Sequence, residues 1–276
     1  MSIDPEVLAK VQGLRSYLAE RLRGQDHVLD RAVAVFVRGE LGLTLSDRPR
    51  GALLAVGPTG TGKTELVLLC ARHLFGDGSV RRFDLSEFQR ADAVERLLGA
   101  DASDGGAIGW AARREGPRVW LFDELEKAHS KVFDLFLQML DPGAVTLATG
   151  RVISFVGDYI AFTSNLGGAE ALRMARSSFA SVELATLRRV AEALRPEFVA
   201  RIPNKFVFAR LKFDVQREIA QMHIEHEIER LGLVGFDLEV SREAMEYLVR
   251  LGCETQLGAR EIRQTVERNL QEAVVQ

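Results

Sequence analysis

Cysteine is nearly missing from the 276 residues: only Cys70 and Cys253 occur, far apart in the chain. Two isolated thiols supply neither a disulfide framework nor the spacing of metal ligands, and a reducing cytoplasm is the expected setting. Long apolar runs are missing too. None approaches the roughly 20 residues a helix needs to cross a bilayer. The opening Met1-Ser2-Ile3-Asp4-Pro5-Glu6 lacks a basic segment followed by an apolar one, so no signal peptide is expected. There is no surplus of positive charge: 36 basic and 39 acidic side chains leave −3. That argues against a broad phosphate-backbone footprint, and nucleic acid is not the expected class of partner. No internal repeat, low-complexity tract or local Ser-His-Asp or Cys-His arrangement is visible. His223 and His226 lie three apart on an expected helix, but no third metal ligand has recognisable spacing, and Glu225, Glu227 and Glu229 read as a solvated acidic face. What remains is 47% hydrophobic and 27% charged, enough to bury a core in one large or two modest domains.

Periodicity divides the chain. Val7, Val11, Leu14, Leu18 and Leu22 recur at helical spacing, and a second helical stretch runs from Val28 to about Arg38. An apolar run, Ala52–Val56, leads through a glycine-rich turn into a helical pattern from Thr64 to Phe75. Strand-like segments follow at Val80–Leu85, Val119–Phe122, Tyr159–Thr163 and Lys205–Phe208, mostly separated by helical ones. Alternation of this kind predicts a parallel sheet covered by helices on both faces. Beyond Leu211 the texture becomes helical, at 214–231, 241–251 and 259–274, with one strand candidate near Phe236–Val240. The expected organisation is a large α/β subdomain over 1–210 and a small helical subdomain over 211–276.

The turn after the first strand reads Gly57-Pro58-Thr59-Gly60-Thr61-Gly62-Lys63-Thr64, which fits G-x-x-x-x-G-K-[ST], the Walker A loop. Glycines let consecutive backbone N–H groups converge on phosphate oxygens, and the following helix adds its dipole. Lys63 would reach the β and γ phosphates and the Thr64 hydroxyl would bind Mg²⁺. Val119-Trp120-Leu121-Phe122-Asp123-Glu124 ends a buried strand in two acids and carries them to the carboxyl edge of the sheet. Asp123 would hold the Mg²⁺ shell, and Glu124 would polarise the attacking water.

With Phe83-Asp-Leu-Ser-Glu-Phe88, Leu121-Phe-Asp-Glu-Leu-Glu-Lys-Ala-His129, Phe162-Thr-Ser-Asn-Leu-Gly167, Arg195-Pro-Glu-Phe-Val-Ala-Arg-Ile202 and Gly258-Ala-Arg260 in order, the chain resembles the AAA+ ATPases. More narrowly it resembles the second ATPase module of ClpB/ClpA/ClpC-like protein-remodelling machines. The resemblance implies a P-loop α/β fold with a helical lid, the cofactors ATP and Mg²⁺, and a ring of copies, expected to be a hexamer. It assigns Asn165 to sensor 1, where a strand-to-loop cap is the other reading. It assigns Arg201 to an arginine finger donated across a subunit interface, against a surface arginine paired with Glu197. Arg260 matches sensor 2, which a solvated arginine would also resemble. Gly24-Gln25 matches part of the segment that packs near adenine, although Leu22-Arg23 replaces two small aliphatic residues.

The chain also departs from that pattern. It starts almost directly at the module, so a stand-alone module is expected, without the N-terminal domain or another ATPase ring. Gly99-Ala-Asp-Ala-Ser-Asp-Gly-Gly-Ala-Ile-Gly-Trp110 lacks the glycine-flanked aromatic that grips a threaded polypeptide. Asp101 and Asp104 offer no bulky apolar contact, and Trp110 is expected in the core of the following helix. Asp141–Gly150, at the place of the second pore loop, carries little charge. The function this suggests is ATP-driven remodelling of an unidentified protein partner or adaptor by a ring, without conventional threading. The alternative is a nucleotide-gated interaction module of a larger Clp-type or secretion assembly with little turnover of its own.

Overall fold

Five strands form one parallel sheet whose central members are apolar on both faces, the pattern of a sheet covered above and below. The computed structural model describes residues 5–116, 118–174, 176–236, 238–253 and 258–275, with backbone alone at 252, 253 and 275. The side chain of Cys253 and residues Met1–Asp4 therefore lie outside the described part. Two helices, α1 (Pro5–Arg21) and α2 (Asp26–Glu40), precede β1 (Gly51–Val56) and α3 (Lys63–Phe75). Next come β2 (Val80–Asp84), α4 (Ala93–Leu98), α5 (Gly106–Ala111), β3 (Val119–Asp123) and α6 (Val132–Leu140). A short antiparallel hairpin, β4 (Ala144–Thr146) and β5 (Val152–Ser154), leads to β6 (Tyr159–Ser164). Then follow α7 (Gly168–Arg173), α8 (Phe179–Ala193), α9 (Pro196–Arg201) and β7 (Asn204–Val207). The chain ends in α10 (Phe213–Leu233), α11 (Arg242–Cys253) and α12 (Ala259–Val275).

The sheet order is β2-β3-β6-β1-β7. Alternate residues of each strand feed two separate cores. Leu54, Val56, Trp120, Phe122, Ile160 and Phe162 point to one face, and Leu53, Ala55, Val119, Leu121, Tyr159 and Ala161 to the other. The second face is covered by α1, α2 and α3 through Leu14, Leu18, Leu29, Phe36 and Leu66. The first carries an aromatic cluster in which Phe198 of α9 meets Phe133 and Phe162 edge-on, at 5.2 Å in each case. Phe198 is fully buried, so α9 is anchored where its last residue, Arg201, sits.

The last three helices surround cores of their own, one of Ile224, Leu231, Leu248, Val266 and Leu270 and one of Leu211, Ile219, Ala220 and Ile262. No strand occurs at 236 or 238–240, against the sequence expectation. Phe236 is exposed, and Asp237 lies outside the described residues. Glu227 is buried rather than solvated: Arg230 pairs with it, donating from Nε at 2.7 Å, and Gln271 donates to Oε1 at 3.1 Å. Among the described residues, no helix is long and apolar enough to cross a membrane.

Trp110 corrects another expectation. Its side chain is 61% exposed, with the Arg113 guanidinium 3.8 Å above its ring, while Ile108 takes the core position on α5. The preceding 99–106 segment closes on itself. Gly99 and Gly106 have positive φ, and a Cβ on Gly99 would stand 1.9 Å from the Asp104 carbonyl oxygen. Asp104 accepts from the backbone of Ala100 and Gly106, and Asp101 from that of Ser103. Both carboxylates thus hold a tight turn, and the turn offers no aromatic side chain.

Candidate active site

Parallel pairing brings the ends of β1, β3 and β6 to one edge. Val56 is level with Ser164, and Phe122 with Phe162. The residues that follow in each strand (the glycine-rich loop, Asp123 and Asn165) therefore emerge side by side. The loop itself demands glycine. A Cβ at Gly57, where φ is +130°, would meet the Phe208 carbonyl oxygen at 2.6 Å, and one at Gly62 would meet Leu22 at 2.5 Å. Both positions are also in backbone conformations that L side chains rarely adopt.

Lys63 is buried at the start of α3. Its Nζ donates to the Gly57 and Pro58 carbonyls at 2.9 and 2.7 Å and to Asn165 Oδ1 at 3.0 Å. Thr59 Oγ1 donates to the same Asn165 oxygen at 3.2 Å, and Thr61 Oγ1 to the Pro58 carbonyl at 2.8 Å. Burial pushes the Lys63 ammonium down to about 8, against the opposing charges of Glu126, Asp123 and Glu124. Deprotonation removes the charge a phosphate would meet, so ATP affinity should fall as pH rises through about 8, by up to about tenfold per unit. Calorimetry in buffers of different ionisation enthalpy should register proton uptake on binding near pH 8.5 and almost none near pH 7.

Asp123 is nearly inaccessible and its carboxylate is fully engaged. Oδ1 accepts from Thr64 Oγ1 at 2.8 Å and from Thr163 Oγ1 at 2.7 Å, and Oδ2 accepts from Arg82 Nε at 2.6 Å. A hydroxyl and a carboxylate converging in this way form an all-oxygen donor set suited to a hard cation such as Mg²⁺. Thr163 and Arg82 were missed by the sequence reading; the pairing register, invisible in one dimension, is what aims them at Asp123.

Glu124 follows at φ 58° and ψ 50°, the one non-glycine with positive φ among the described residues. Its backbone N–H donates to Thr163 Oγ1 at 3.3 Å. Strain of this kind persists where a side chain must be held in one direction.

Three predicted residues make no hydrogen bond to the glycine loop. Gln25 is fully buried, and its amide pairs in both directions with the backbone of Ala209, Nε2 donating at 2.9 Å and Oε1 accepting at 3.0 Å. Gly24 has positive φ and lies against Val215 of α10. These two residues tie the segment before α2 to the passage into the final helices. No hydrogen bond or ion pair joins Arg201 to the loop residues. It pairs with Asp141 Oδ2 at 2.7 Å and not with Glu197, whose nearest basic partner is Arg195.

The final helix touches the loop directly. The Ala259 N–H donates to the Gly60 carbonyl at 2.8 Å, and Gly258, with φ +83°, comes so close that a Cβ would stand 2.7 Å from that oxygen. Arg260, the next residue, is exposed and near enough to depress Lys63 further. Gly258→Ala should therefore lift α12 from the loop and cost about 1–3 kcal/mol. A lowered melting temperature together with weakened nucleotide binding would be the measured result.

The model of the AAA domain (Cdc48 subfamily) matches residues 48–205, more than half of the chain. The chain belongs to the AAA+ ATPase family. Residues 211–276 match the C-terminal D2-small domain of ClpB protein. This AAA+ module is 35% identical over 277 residues to chaperone protein ClpB 1 of Synechococcus elongatus, which covers 97% of the chain and 32% of that relative. It is 34% identical over 269 residues to heat shock protein 100 of Trypanosoma brucei brucei, covering 95% of the chain and 31% of the relative. The module thus spans about a third of the length of these relatives. A cryo-EM reconstruction of closed-state Hsp104 with ATPγS and FITC casein superposes with a TM-score of 0.86 at 27% identity, over 99% of this chain and 49% of that one.

Proposed function

We propose that this module binds ATP with Mg²⁺ and hydrolyses it in a site shared by adjoining copies. The cycle would drive a ring, a hexamer in this reading, to remodel or disassemble a protein partner in the cytoplasm without conventional pore-loop threading. The observation that carries the reading is the convergence of Lys63, the Thr64–Asp123 pair and Asn165 around one glycine loop. The last helix is planted on the same loop through Ala259. Likeness to ClpB and to an Hsp104 reconstruction containing casein supports a protein as the substrate class.

In this reading the backbone amides of Gly57–Thr64 cradle the phosphates, and Lys63 exchanges its loop carbonyls for phosphate oxygens. Thr64 and Asp123 hold Mg²⁺, which supplies neutralisation of the developing phosphate charge. Glu124 takes the proton of the attacking water, Asn165 orients that water, and Gly24-Gln25 shape the wall beside the base. Arg201 of one copy faces the γ-phosphate held by the next, and Arg260 couples the helical lid to it. The self-bonded 99–106 turn, with no aromatic to grip a chain, supports remodelling without threading.

The test is steady-state turnover against protein concentration, with Lys63→Ala as control. The expected result is turnover that rises with assembly, and a control that no longer binds ATP tightly. ATP binding with negligible turnover under every assembly condition would overturn the motor and leave the nucleotide-gated interaction module.

A further inference from the structure

Glu126 was not among the residues read from the motif, yet it makes the most directional contact to Asn165. A single carboxylate oxygen, Oε1, accepts both N–H groups of that residue, the backbone N at 3.1 Å and Nδ2 at 3.0 Å. The other oxygen, Oε2, is buried without a hydrogen-bond partner. An ionised carboxylate only accepts. The NH₂ of Asn165 must therefore face Glu126, and its Oδ1 must face the opposite way, toward Lys63 Nζ and Thr59 Oγ1. With no fixed acceptor, the two amide orientations would differ little and either could be presented. Packing alone does not account for a glutamate here, because burying an unpaired acceptor is disfavoured and an apolar side chain would avoid it. Glu126 also stands in the one-turn helix Leu125–Lys127, directly behind Glu124 in the chain, so it shares the rigid seat of the residue proposed to activate water.

We propose that Glu126 is a positioning residue that dictates which edge of the Asn165 amide meets the reacting phosphate and its water. It acts on turnover through Asn165 without touching nucleotide. The proposal rests on the reading of Asn165 as the residue that orients water.

The test compares Glu126→Gln, Glu126→Asp, Asn165→Ala and the Glu126→Asp/Asn165→Ala pair in the full chain. ATP turnover, affinity for a fluorescent ATP analogue and thermal melting are recorded for each. Gln loses the charge and puts an NH₂ donor in place of Oε2, but keeps an oxygen at the same reach that the Asn165 backbone N–H can hold, whereas Asp keeps the charge and withdraws the acceptor by one methylene. Asp is expected to lower kcat about 10²-fold, the scale of a small misplacement at a reacting centre. Affinity should stay within about threefold, as for an interaction made only in the transition state. Gln is expected to retain most of the turnover, and the double variant should be no slower than Asn165→Ala alone. A fast Asp variant with a slow Gln variant would overturn the proposal by showing that charge matters and reach does not. So would a double variant slowed by the product of the single effects. Full turnover in Asn165→Ala would instead sink the assignment of Asn165, and the role of Glu126 with it.

Discussion

Arg201→Ala is expected to lower ATP turnover by about 10³–10⁵-fold while leaving ATP affinity nearly unchanged. The side chain lies at the end of α9, is 40% exposed and is paired with Asp141, with no hydrogen bond or ion pair to the glycine loop of its own chain. An exposed pair of this kind contributes about 0–1 kcal/mol, so the substitution should leave the fold intact. Any large loss of turnover then belongs to a site completed by another copy. Mixing supplies the decisive measurement. Arg201→Ala chains retain a loop but no finger, and Lys63→Ala chains a finger but no working loop. In mixed rings built by a head-to-tail interface, about a quarter of the junctions would combine an intact loop with an intact finger. Recovery of turnover on mixing two inactive variants is the expected outcome; normal hydrolysis by Arg201→Ala alone would refute the shared site.

Glu124→Gln should bind ATP tightly and hydrolyse it about 10²–10⁴-fold more slowly, the range for loss of a general base. The variant keeps the volume and the left-handed backbone but cannot accept the proton of water. Backbone geometry adds a second, independent expectation. Since Glu124 holds φ 58°, Glu124→Gly should relieve strain and raise stability by about 0.5–1 kcal/mol while turnover is lost. A gain in melting temperature together with a loss of activity would mark the strain as serving function. A fall in melting temperature would show that the side chain stabilises this turn. The Gln variant is then also the expected trap, which should hold the ATP state while assembly mass and co-purifying proteins are measured.

Much of the fold was legible because the two periodicities are strong in this chain. Val11, Leu14, Leu18 and Leu22 recur at helical spacing and are buried, and the apolar runs at Leu53–Val56, Val119–Phe122 and Tyr159–Phe162 are central strands. Trp110 misled because size and apolarity suggest burial, whereas α5 is short and its inward position is taken by Ile108. Glu227 misled in the opposite direction, since its partners Arg230 and Gln271 come from α10 and α12, and the latter lies 44 residues away. Arg230, three residues on, is a neighbour in the sequence, but nothing there reveals that Gln271 reaches the same carboxylate.

By itself the sequence determined the glycine loop, the lysine and threonine that follow it, and the two acids at the end of β3, because each depends on residues adjacent in the chain. Only the tertiary structure decided what those groups meet. Strand register set Thr163 and Arg82 on Asp123, the parallel pairing of β3 and β6 put Glu126 against Asn165, and the closeness of Gly258 to Gly60 planted the last helix on the loop. The physical reason is range. Backbone preference and side-chain alternation act over a few residues, whereas a hydrogen bond between side chains about 40 or 100 positions apart exists only once the sheet has fixed their separation.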